Sequence, residues 1–205
     1  DESGHHALCP VGRRVAVRHL ESHEVTFLSG ANVDTHDPDE TFGASLGSTA
    51  SPDPDSLSFC ATSRECTFLA VGERRSREPY DAVAIYDLAN LGAGGPVRVL
   101  DCLRGQGVQQ RLTAGAFSAG GEARFLALLT SGAQATLTVV DWREDRVLGR
   151  LKMESAADRV AWSPQADSCT ISISGAHLLR LVLLKDALSK IRECSLKACP
   201  RFQGL

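Results

Sequence analysis

The 205-residue sequence predicts an all-β protein, on three observations. One strand pattern recurs, opening at Leu57-Ser58-Phe59, Gly115-Ala116-Phe117-Ser118 and Val160-Ala161-Trp162-Ser163-Pro164. Two or three further β-rich runs follow each opening, of strand length rather than helix length. Taking Phe59, Phe117 and Trp162 as equivalent gives intervals of 58 and 45 residues. A repeat of roughly 40 to 45 residues is the period of propeller blades, and insertions lengthen the first interval. The expected architecture is therefore a partial β-propeller of about three complete blades plus part of another.

Residues 1–28 hold the partial blade, with strands near 7–9, 14–20 and 25–28. Residues 29–56 interrupt the pattern with Gly, Ser, Pro and six acids, Asp34, Asp37, Asp39, Glu40, Asp53 and Asp55, without one Lys or Arg. Such a stretch buries too little apolar surface to offset its ordering entropy, so a flexible loop is expected. The full blades are expected at 57–103, 104–152 and 153–197, and 198–205 begins another blade or forms a tail.

Within these blades the second strands are Thr67-Phe68-Leu69-Ala70-Val71, Phe125-Leu126-Ala127-Leu128-Leu129 and Cys169-Thr170-Ile171-Ser172-Ile173. The third are Val83-Ala84-Ile85-Tyr86-Asp87-Leu88, Leu137-Thr138-Val139-Val140-Asp141-Trp142 and the apolar run over 178–184. Asp87 and Asp141 close their strands, where a short carboxylate can accept hydrogen bonds from the reversing backbone. The fourth strands, near 97–100, 146–151 and 191–196, alternate apolar and charged residues, which suits a half-exposed outer strand.

Ala84-Ile85-Tyr86-Asp87-Leu88 and Val139-Val140-Asp141-Trp142-Arg143 resemble the apolar-apolar-Trp-Asp run of the WD-repeat family. Tyr86, Val140 and either Val182 or Leu183 stand where that family has tryptophan, and no Gly-His pair opens a blade. Order and wording along nearly the whole chain are similar to the first blades of the cilia- and flagella-associated WD-repeat proteins. The residues carrying this are 68–73 with Pro79, 84–88, Ala116-Phe117-Ser118, Val140-Asp141-Trp142, and 160–164 with Gly175. That resemblance implies a WD40-type propeller, a chain start inside a blade, and a piece of a longer protein whose remaining blades come from the same or another chain. It also implies localisation to the cytoskeleton of the ciliary or flagellar axoneme, with axonemal proteins, tubulin and complexes associated with inner dynein arms as partners.

Composition narrows the function classes. Hydrophobic residues make up 43%, enough for a core, and the net charge of −3 argues against nucleic-acid binding. No run approaches the ~18 apolar residues of a membrane span. Seven cysteines without a spaced framework fit a reduced, intracellular chain, and neither Cys60 with Cys66 nor Cys194 with Cys199 repeats a zinc-ligand module. His19 and His23 flank a strand reversal and read as exposed turn residues. No metal and no cofactor is expected.

Gly43-Ala44-Ser45-Leu46-Gly47 matches the G-x-S-x-G pattern, but a hydrolase elbow needs a strand before the serine and a helix after it. Asp-Glu-Thr-Phe precedes it and Ser-Thr-Ala-Ser-Pro-Asp-Pro follows, so no catalytic residue is assigned. The glycines over 92–95 and at 105 and 107 complete no dinucleotide fingerprint. Glu73-Arg74-Arg75-Ser76-Arg77-Glu78 places three arginines at a hairpin tip, where guanidinium groups suit acidic partners. Arg74, Arg75 and Arg77 are accordingly the candidate partner-binding residues of a non-enzymatic docking scaffold. Alternatives are a WD-repeat scaffold in ubiquitin ligation or trafficking, or a propeller attached to an enzyme domain.

Overall fold

The computed structural model describes residues 6–28, 54–75, 80–91, 95–104, 111–120, 122–130, 135–153, 157–162, 170–175, 177–184 and 187–195, the last three stretches and residues 157–158 as backbone alone. Of the loop expected at 29–56, residues 29–53, with the serine motif at 43–47, lie outside the described residues, whereas Ser56 already belongs to the first strand of sheet 2. Every sheet is antiparallel and follows sequence order. Sheet 1 comprises β1 (His6–Val11), β2 (Arg14–His19) and β3 (Val25–Phe27). Sheet 2 comprises β4 (Ser56–Thr62), β5 (Phe68–Arg74), β6 (Ala82–Asp87) and β7 (Arg98–Val99). Sheet 3 comprises β8 (Leu112–Phe117), β9 (Phe125–Thr130), β10 (Thr136–Asp141) and β11 (Arg146–Lys152). Sheet 4 comprises β12 (Ala157–Trp162), β13 (Thr170–Gly175), β14 (His177–Leu184) and β15 (Ala187–Ser195). This all-β arrangement of successive antiparallel sheets is compatible with a propeller.

The sheets stack because their middle strands are apolar on both faces. Successive side chains in a strand point to opposite sides. On β5, Leu69 and Val71 join Val15, Val17, Leu28, Ala84 and Tyr86 in the layer between sheets 1 and 2. Ala70, by contrast, joins Val83, Ile85, Phe117, Leu126, Leu128 and Trp142 between sheets 2 and 3. A third layer holds Ala127, Leu129, Leu137, Val139, Leu148 and Val160, with Trp162 packed against it. The near-continuous apolar runs of β6 and β10 follow from burial on both faces, since a one-sided strand would alternate. The first strands adjoin in series, β4 against β8 and β8 against β12.

Backbone hydrogen bonds fix how the sheets correspond. Leu28 N donates to Val15 O at 2.9 Å, Leu100 N to Val83 O at 2.9 Å and Met153 N to Ala135 O at 2.8 Å. Each bond joins the residue after a fourth strand to the start of a third strand. Thus β1, β2 and β3 are the second, third and fourth strands of their unit. Among the described residues, no strand pairs with the outer edge of β1.

Cross-strand register corrects the alignment of the opening aromatics. Phe117 pairs with Leu126 and Trp162 with Ile171, each opposite the second residue of the next strand. In sheet 2 that place belongs to Thr62, opposite Leu69, whereas Phe59 lies opposite Gly72. All three aromatics occupy first strands, but Phe59 sits three positions early. The serines keep the true register: Ser63 and Ser118 follow Thr62 and Phe117, and their hydroxyls accept from Phe68 N at 3.0 Å and Phe125 N at 3.1 Å. The same pairing aligns Tyr86 and Val140 with Leu181, and not with Val182 or Leu183.

Candidate functional site

The end of β5 sets the geometry of the arginine segment. Arg74 and Arg75 are neighbours, so they leave the strand on opposite sides. Arg75 is 8% exposed, and its Nη2 lies 3.4 Å from Oε2 of Glu73, itself 2% exposed. This overturns the expectation of an exposed guanidinium at Arg75, because the alternation that buries Leu69 and Val71 continues through Glu73 and beyond the strand end. Arg77 lies outside the described residues. Arg74 remains 37% exposed at the side chain, with Nε 3.4 Å from Oδ1 of Asp81.

Asp81 is the residue that sequence inspection missed. Its side chain is fully enclosed, yet Arg111 reaches the same Oδ1 through Nη1 at 3.2 Å, and Leu112 N donates to Oδ2 at 2.8 Å. One carboxylate just before β6 therefore ties the β5–β6 hairpin to the start of β8 in the next sheet. A usable signal was present: an acid placed directly before a wholly apolar strand needs donors, and Arg111 opens the following unit.

The acids that close the third strands behave as expected from sequence. Asp87 accepts from Ala89 N at 2.9 Å and Asn90 Nδ2 at 2.7 Å, and Asp141 accepts from Glu144 N at 3.3 Å. Asp141 is also bound by Arg124 Nε at 2.7 Å, and this hydrogen bond raises the guanidinium further into its charged range. Arg124 then lies 5.5 Å from the Phe125 ring centroid. A comparable stack places Arg143 over Phe68 and Trp142, at 5.6 and 5.2 Å.

No protein-family model and no curated protein matches the chain. The chemistry must be judged from the residues themselves. Burial, followed by its hydrogen bond to Asp145, pushes the Cys102 thiol up to about 12, so it is not a thiolate nucleophile near neutral pH. Burial first, then the nearby Glu73 charge, raises Tyr86 and keeps its phenol neutral. No group of three or more His, Cys, Asp or Glu among the described residues is placed to hold a metal ion. A pocket lined by Thr26, Phe27, Leu28, Tyr86, Leu91 and Gly95 has a volume of about 10 Å³, room for about one water. What the described geometry offers is a set of charged side chains fixed to rigid sheets.

Proposed function

We propose that the chain is part of a WD40-type β-propeller serving as a non-enzymatic docking scaffold in the ciliary or flagellar axoneme. The observation that carries the propeller reading is the succession of antiparallel sheets whose first strands, β4, β8 and β12, adjoin in chain order. Rigid stacked sheets hold their connecting loops in fixed positions, which is how loops acquire binding roles. The WD-like runs ending at Asp87 and Asp141 support the family, and resemblance to the axonemal WD-repeat proteins supports the location. The proposed partners are tubulin, whose acidic surface would meet the exposed Arg74 at the β5 end, and complexes associated with inner dynein arms.

The test is localisation of the tagged protein in ciliated cells. It is expected along the axoneme and in the detergent-resistant fraction, because polymerised partners retain a scaffold with many contacts. Diffuse cytosolic signal with full detergent extraction would remove the axonemal assignment. Co-purification with a ubiquitin ligase or a vesicle coat would then favour an intracellular WD-repeat scaffold of another complex.

A further inference from the structure

We infer that β3 is a self-pairing edge, through which two copies of this chain join by antiparallel strand pairing about a two-fold axis at Thr26. The inference goes beyond the docking reading and needs neither the axonemal location nor the arginines. Leu28 N donates to Val15 O and His19 N to Glu24 O, so the backbone groups of Glu24 and Leu28 face β2. Thr26, midway between them, pairs with Val17 and faces β2 as well. Backbone groups of successive strand residues alternate in direction, so the N–H and C=O groups of Val25 and Phe27 point out of the sheet. Among the described residues, no strand pairs with that edge.

The edge is complementary to its own copy. Val25 and Phe27 flank Thr26, so with Thr26 at the axis each Val25 stands opposite Phe27 of the second copy. Each such pair exchanges both of its N–H···O bonds, and every outward donor and acceptor of the two strands is satisfied. The same register sets an aromatic ring beside a β-branched side chain on one face of sheet 1, a favourable cross-strand combination. Both side chains are exposed in the single chain. Charge does not oppose the pairing: β7 contains Arg98, β11 Arg146, Arg150 and Lys152, and β15 Lys190, Arg192 and Glu193, whereas β3 reads Val-Thr-Phe. Charged residues and proline on an edge strand are what discourage pairing with another chain, and β3 has neither. Arg18, the partner of Val25, lies on β2 and so one strand back from the edge.

Disulfide trapping reads this register directly. Thr26→Cys in the 205-residue chain, oxidised with copper phenanthroline and mapped by mass spectrometry, is expected to link position 26 of two copies. A non-hydrogen-bonded pair brings its Cα atoms to about 4.5 Å, within disulfide reach. Val25→Cys places its thiol opposite Phe27 of the second copy, so its self-coupling is expected to be about tenfold slower or less. The parent chain, in which Cys9, Cys60 and Cys66 are exposed, gives the background. Equal coupling at positions 25 and 26 would mean random collision and would overturn the pairing, as would no disulfide at position 26. Sedimentation equilibrium supplies a check without oxidant. Thr26 is exposed, and Thr26→Lys sets like charges opposite each other at the axis. It is expected to raise the dissociation constant of the dimer about tenfold or more, whereas Leu20→Lys, which adds the same charge to an exposed turn of sheet 1, should change it less than about twofold. Equal effects of the two lysines would reduce the association to net charge and sink the proposal. A dimer that fails to form leaves the localisation test of the scaffold reading untouched, so the two failures are distinguishable.

Discussion

Phe59 is held between two glycines, and its ring governs how closely sheets 2 and 3 approach. A Cβ placed on Gly72 or on Gly115 would overlap this ring, the first from the neighbouring strand and the second from the next sheet. Gly115→Ala should therefore cost about 1–3 kcal/mol by overpacking. The Phe59→Leu, Gly115→Ala double variant should recover part of that loss in urea unfolding, whereas strict additivity would show that the glycine acts elsewhere. Asp81 makes a second residue-scale prediction. Asp81→Ala removes the acceptor shared by the Arg74 and Arg111 guanidiniums and the Leu112 amide, at a cost of roughly 2 kcal/mol, below the fully buried case because both arginines are partly solvated. Asp81→Asn keeps an acceptor for Leu112 N and should cost less; equal losses would exclude that amide as a contributor. Cys102 adds a pH dependence. Its folded-state pKa lies above the ordinary thiol value, so the unfolded chain releases its proton first as pH rises. The stabilisation is present below about 9 and is lost as pH climbs towards about 12. Cys102→Ala should flatten this part of the stability profile measured between pH 8 and 11.

At the scale of the strand, much was legible because burial on both faces writes itself as uninterrupted apolar sequence. The runs around Val83 and Leu137 became β6 and β10 within a residue or two at each end. Register was harder to read. Phe59 attracted the alignment because it is aromatic, but the hydrogen-bonding serine after the strand preserves the position, and Thr62 occupies it without an aromatic ring. The arginine site was only half legible, since alternation on β5 had to be followed past Gly72 to see that Glu73 and Arg75 turn inward. Asp81 and Arg111 are 30 residues apart and meet only because sheets 2 and 3 stack. Strand β1 offers an element-scale prediction. Val15 O faces β3, where it accepts from Leu28 N, so its cross-strand partner Pro10 points away from β2. Proline is tolerated there because no ladder bond is lost, and it removes one donor from the outer edge. Pro10→Thr would restore that donor and should raise self-association at equal concentration. Unchanged sedimentation across a concentration series would show that β1 does not pair through this edge.

Sheet 1 lacks a first strand among the described residues, and the consequences reach the whole molecule. On β4, Cys60 and Thr62 are exposed, whereas Phe117, the counterpart of Thr62 on β8, is 6% exposed because sheet 2 covers it. The uncovered side of β4 thus adjoins the place that a first strand of sheet 1 would fill. The face of sheet 1 turned away from sheet 2 is partly open, although Ala16 on it is buried at 6% exposure. Val15 and Val17 point into the layer shared with sheet 2, so Ala16 and Arg18 point away, together with their cross-strand partners Phe27 and Val25. Phe27 is 53% exposed and Val25 47% exposed. A stack that, among the described residues, exposes Phe27 and Val25 and leaves the outer edge of β1 unpaired should self-associate. The 205-residue chain is therefore expected to elute as a concentration-dependent mixture of oligomers in size-exclusion chromatography with light scattering. Phe27→Lys combined with Val25→Thr should shift the mixture towards monomer without loss of β-structure, since both side chains lie outside the buried layers. Adding chain segments that supply the first strand of sheet 1 and a further sheet should have the same effect, and should also protect the Cys60 thiol from alkylation. A monodisperse monomer from the short chain, with Cys60 already protected, would mean that the four sheets close on one another as a small ring, and the larger propeller would have to be abandoned.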